Sequence, residues 1–164
     1  MKKPEPKKVR HVKKQDRQKV RHCAEFASSL PTDLIEDDND IVQFGGKSVA
    51  AAIGEILTGL GCDVELPSYA GDHGWDFCGK IRDAKFFCQV TFIEDYIFLF
   101  KRRDEFPSWF QRHPPALYIT LDALAVAMAR DERFSNLRWV YEPLAGEKGV
   151  VDPLIDLRSS RSSD

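Results

Sequence analysis

Apolar positions recur at helical spacing in the first part of this chain and then alternate with polar ones. Over residues 17–30, Val20, Cys23, Ala24, Phe26 and Ala27 fall at helical intervals, and Pro31 stops the pattern. Ser48 is a good N-cap for the clearest helix in the sequence. Its stripe is Val49, Ile53, Ile56, Leu57 and Leu60, and Gly61 is placed to end it in a left-handed conformation. Cys62, Val64 and Leu66 alternate with Asp63 and Glu65, a strand that Pro67 closes. Residues 75–82, 85–93 and 96–101 read as three further strands. Phe86, Cys88, Val90 and Phe92 share one face of the middle one, and Phe87, Gln89, Thr91 and Ile93 the other, so that strand is central. The connections Asp83-Ala84 and Glu94-Asp95 are too short for crossovers, which makes the pairing antiparallel. Thr120 caps a helix starting at Leu121, with Leu121, Leu124, Ala125 and Met128 inward, and Leu137, Trp139 and Tyr141 alternate in a last strand.

These patterns predict an α+β fold in a single domain over residues 17–145. N-terminal helices precede a mainly antiparallel β-meander of four strands, followed by a helix and a final strand. Residues 1–16 form a basic arm and 146–164 a polar C-terminal tail, and both are too polar to bury a face. A chain of 164 residues suits one core.

Net charge changes this picture. The formal value of -2 conceals ten Lys/Arg and two Asp/Glu in residues 1–22, so that segment carries +8 and the rest -10. The arm, residues 2–21 from Lys2 to Arg21, is suited to a phosphate backbone or an acidic surface, whereas the acidic body argues against nucleic acid anywhere else. No apolar run approaches the roughly 20 residues of a membrane span, and the basic start lacks an apolar signal core, so a cytoplasmic protein with no membrane association is expected. Cys23, Cys62, Cys78 and Cys88 lack CxxC spacing and read as reduced, buried thiols, with zinc a poor second.

Candidate chemistry centres on Gly71-Asp72-His73-Gly74-Trp75-Asp76-Phe77, which gathers acids, an imidazole, an indole and two glycines. The stretch Ile41-Val42-Gln43-Phe44-Gly45-Gly46-Lys47-Ser48 imitates the end of a phosphate loop, but Ile41 stands where its first glycine is required. The acids at 36–40 lack calcium-loop spacing and read as a solvated loop. Nothing sets a nucleophile beside a base, so acyl transfer has no support.

Leu60-Gly61 at a helix end, then Gly71-Asp72-His73-Gly74-Trp75-Asp76, then Gln89-Val90-Thr91 on the next strand resembles the catalytic core of Mrr-type restriction endonucleases, of the PD-(D/E)xK nuclease fold. The resemblance covers about a third of the chain. It implies magnesium held by Asp76 and Gln89, and a lysine at position 91 to assist the attacking water. Thr91 departs from that pattern, and Lys101 or Lys85 is the substitute to look for. The core is then a degenerate one, or the loop is a plain turn in which Asp72 caps amides and Trp75 and Phe77 fill the core.

In general look, an acidic single-domain protein without a complete active site is similar to bacterial immunity proteins. The preferred expectation is a non-enzymatic module that neutralises a basic protein partner such as a toxin, with no cofactor. The candidate contacts are Asp37, Asp38, Asp40, Asp72, His73, Trp75, Asp76, Glu94, Asp95 and Trp109, the last in an aromatic group with Phe106 and Phe110. The alternatives are a divergent nuclease or nuclease-derived DNA-binding protein, and an accessory subunit tethered by its arm.

Overall fold

The computed structural model describes residues 19–103 and 115–163. Residues 1–18 of the arm, and Phe106, Trp109 and Phe110, lie outside the described residues.

The fold is α+β. Its strands are β1 (Cys23–Ser28), β2 (Ile35–Glu36), β3 (Ile41–Gln43), β4 (Asp63–Val64), β5 (Ser68–Tyr69), β6 (Trp75–Ile81), β7 (Ala84–Phe92), β8 (Tyr96–Arg102) and β9 (Phe134–Val140), and its helices α1 (Lys47–Gly59), α2 (Pro115–Arg130) and α3 (Ile155–Arg161). Seven strands form one antiparallel sheet in the order β4-β6-β7-β8-β1-β9, with β5 also on β6, and β2 and β3 make a separate hairpin. The predicted meander is its β6-β7-β8 centre, so four strands plus a last one understate the sheet.

The predicted N-terminal helix is instead β1, an interior strand between β8 and β9. Cys23, Ala24, Glu25 and Phe26 are all buried. A short strand covered on both faces loses the period of two, and its apolar residues imitate helical spacing. Residues 62–66 also pair less than predicted: β4 is two residues long, Leu66 is 90 % exposed, and Pro67 interrupts the sheet edge.

One sheet face carries the core. Phe77, Phe86, Cys88, Val90, Phe98, Phe100, Phe26 and Trp139 pack there in one cluster with Val49, Ile53 and Leu57 of α1 and Leu121, Leu124 and Met128 of α2. Helix α1 ends as its sequence predicts: Gly61 has φ +92°, and the amides of Gly61 and Cys62 return to the Thr58 and Leu57 carbonyls. Its start differs. Asp33 caps it from outside, accepting from the Ser48 amide (2.6 Å) and hydroxyl (3.1 Å). Helix α2 begins at Pro115, where its missing N–H costs nothing, so Thr120 lies inside the helix and donates to the Ala116 carbonyl (2.7 Å).

Where the pattern predicts a polar tail from residue 146, the chain rejoins the body. Val150 bridges Trp139, Leu154 and Leu157 enter the core, and α3 occupies part of the stretch read as a polar tail. Arg21 fastens this segment through Asp156 (2.6 Å) and Glu147 (3.3 Å), with its guanidinium 4.3 Å from the Tyr141 ring centre. Two apolar side chains are enough to seat a helix whose other residues are polar.

Candidate functional site

The central loop is a tight 3-10 turn over Gly71–His73 that feeds β6 through Gly74. Gly74 adopts φ 87°, ψ -118°, and a Cβ there would lie 2.2 Å from the Val90 carbonyl oxygen. The His73 carbonyl accepts from the Gln89 side-chain amide (3.2 Å) and the Thr91 hydroxyl (2.8 Å). Gln89 and Thr91, which the nuclease resemblance casts as a metal ligand and a replaced lysine, thus tie the loop to β7.

Asp76 pairs across the ladder with Gln89 on the sheet face away from α1 and α2. It is half-buried, and its Oδ1 is sealed from water without a hydrogen-bond donor. Burial pushes its carboxyl above the usual aspartate range, against the opposing pull of His73 and Lys101. Lys101, opposite Phe87, is a cation on this same face. These residues do not fit magnesium. A hard cation needs several oxygen ligands, whereas Asp76 is a single carboxylate whose charged form burial disfavours. Among the described residues no group of three His, Cys, Asp or Glu side chains is gathered to hold a metal.

Trp75 is a core residue rather than a contact. It is 6 % exposed, and its indole N–H donates to the Phe44 carbonyl (3.0 Å). The aromatic that reaches solvent is Tyr69, 43 % exposed, with its ring 5.3 Å from that of Trp75 and its hydroxyl accepting from the Phe44 amide. The phosphate-loop imitation closes the same way. The amides at the start of α1, which would receive an anion, already face the Asp33 carboxylate.

Most of the predicted acids stand on segments attached at one end of the sheet. The base of the β2-β3 hairpin is pinned there, because the Gly46 amide donates to Thr32 (2.8 Å) and Gly45 lies against Phe92 at the end of β7. Asp37 shapes the hairpin turn by accepting from the amides of Asn39 (3.0 Å) and Asp40 (2.9 Å), while Asp38 and Asp40 stay exposed. Asp72 and His73, 3.7 Å apart and exposed, approach the same end through the ties to Gln89 and Thr91. Glu94 and Asp95 form the exposed β7-β8 turn beside Phe92. Asp76 stands apart on the sheet face.

Apolar groups lie among these acids. Ile35 (49 % exposed), Val42 (56 %) and Ile93 (54 %) sit on the hairpin and the turn. With Tyr69 and Asp33 they are the residues that the sequence reading missed. Isolated apolar residues beside turns leave no periodic trace, and a cap supplied from fifteen residues away has no local spacing.

The thiols behave as their surroundings dictate. Cys23, Cys62 and Cys88 are buried, Cys78 is half-buried, and all four are free. Burial pushes Cys88 well up, with the neighbouring Cys78 and Cys62 adding to it, which leaves it inert as a nucleophile. No helix among the described residues is long and apolar enough to cross a membrane. Comparison with protein-family models, with curated proteins and with solved structures finds no match to this chain.

Proposed function

We propose that this protein is a non-enzymatic binding module that captures a basic protein partner on the acidic end of its sheet, in the manner of an inhibitor that neutralises a toxin. The observation that carries this reading is attachment at one end. Three separate acidic stretches, Asp37 to Asp40, Asp72, and Glu94 with Asp95, stand on segments joined to that end of the sheet, and Ile35, Val42, Tyr69 and Ile93 are exposed on those segments or beside them. Carboxylates in such an arrangement steer a cationic partner and set its register, while the apolar side chains between them supply area to bury. His73 belongs to the same surface, Asp76 contributes field from the adjoining face, and Trp75 acts by holding Tyr69 and the loop in place.

The test is capture from the native host with the full chain and with Asp38→Lys/Asp72→Lys/Glu94→Lys, which spares the turn-forming Asp37. The wild type is expected to retain one basic protein stoichiometrically at low salt, to lose it at high salt, and to block that protein's activity. Retention of the same partner by the charge-reversed variant would exclude the acidic end as the binding surface.

A further inference from the structure

Helix α2 has one buried side and one side open to solvent. Leu121, Leu124, Ala125 and Met128 enter the core. On the outer side Asp122, Val126 and Arg130 follow one another at intervals of four residues, so they form a single row with the apolar residue in the middle. Val126 is 45 % exposed. Beside this row the chain passes again as Val151–Pro153, and a groove of about 350 Å³ lies between. Ala125, Val126 and Ala129 line one wall of it, and Pro153 and Val151, the latter 78 % exposed, line the other. An apolar groove rimmed by charged groups is the usual form of a protein contact surface. The alanines let another helix approach at the short end of ordinary spacing, about 8 Å.

The rim charges identify the occupant. Arg158 of α3 bonds to Asp122 (2.5 Å) and to Asp152 (3.1 Å), so two carboxylates and one guanidinium leave that end of the groove at -1. Arg130, one turn beyond Val126, gives the other end +1. A rim of both signs with no net charge offers nothing to a strongly basic or strongly acidic partner. It does complement itself. A twofold axis through Val126 lays α2 antiparallel on the α2 of a second copy. Each Asp122 end then faces the partner's Arg130 end, about 6 Å to either side of the axis, and the contact is made twice because it is isologous.

We propose that this groove is the contact surface of a homodimer, built from α2 and the Val151–Pro153 segment of each copy. It shares no residue with the acidic end of the sheet, so either reading can fail without the other. The contact is small, and its dissociation constant should lie between about 1 µM and 1 mM.

Sedimentation velocity of the full chain over a concentration series tests this. Wild type should pass from monomer to dimer. Asp122→Arg opposes cations at both contacts and Arg130→Asp opposes anions, so each variant, folded by circular dichroism, should associate at least about 10-fold more weakly. An equimolar mixture of the two should regain dimer, because a mixed pair opposes unlike charges at both contacts. If either charge variant does not fold, Val126→Cys carries the test: mild oxidation should link it into a covalent dimer above the wild-type level. Wild type that stays monomeric throughout would overturn the proposal, and that is also the result if the chain's own arm or a different protein fills the groove. So would single variants that dimerise like wild type, a mixture that stays monomeric, or Val126→Cys that does not cross-link.

Discussion

Replacing Gly74 with alanine tests how the central loop is held. The residue needs φ 87° with ψ -118°, a combination that a side chain adopts only under strain of about 1–3 kcal/mol. The added Cβ would also stand 2.2 Å from the Val90 oxygen, and Val90 is paired with Trp75 in the ladder, so the carbonyl has no room to withdraw. The loop must lift instead, which breaks the Gln89 and Thr91 bonds to the His73 carbonyl at about 0.5–1.5 kcal/mol each. Together these give about 2–6 kcal/mol, or a urea midpoint lower by roughly 1–3 M at an ordinary dependence on denaturant. Gly71 is the internal control. Its φ is +65° with nothing within 4 Å of a Cβ, so Gly71→Ala should cost only the left-handed penalty of about 1–2 kcal/mol. Urea unfolding followed by circular dichroism measures both. Equal costs for the two variants would refute the argument, because they would mean that the approach to β7 is not what demands glycine.

Three other perturbations have definite signs. Burial works against the charged form of Glu25, but the Leu144 amide (2.7 Å) and the Arg138 guanidinium (2.6 Å) outweigh it and hold its carboxyl below the usual range. Its contribution is therefore present above the unfolded value of 4.5 and lost as pH falls through the lower folded value, so Glu25→Gln should lower stability at pH 7 and flatten the acid limb below pH 4.5 in thermal melts. Arg21→Ala strips the counter-charge from Asp156 and Glu147 and should loosen the C-terminal segment, so hydrogen exchange should show residues 150–161 opening first. Asp33→Ala removes the cap of α1 and should cost about 1–2 kcal/mol in the same urea assay, whereas Ser48→Ala, which leaves the carboxylate on the Ser48 amide, should cost clearly less.

Legibility in the sequence followed how local the physics was. The meander over β6, β7 and β8 and the end of α1 were plain because alternation, short turns and a glycine after a stripe act between neighbours. Strand β1 was hidden because burial on both faces depends on strands 70 and more residues away, and no local period records it. The C-terminal helix was hidden because its anchor, Arg21, lies 135 residues from Asp156. At the candidate site the acids were visible as residue types, and so was the need for glycine at 71 and 74. Their sorting was not. Trp75 turned inward and Tyr69 outward because Phe44 supplies an acceptor to one and a donor to the other, a contact between segments 25 to 31 residues apart.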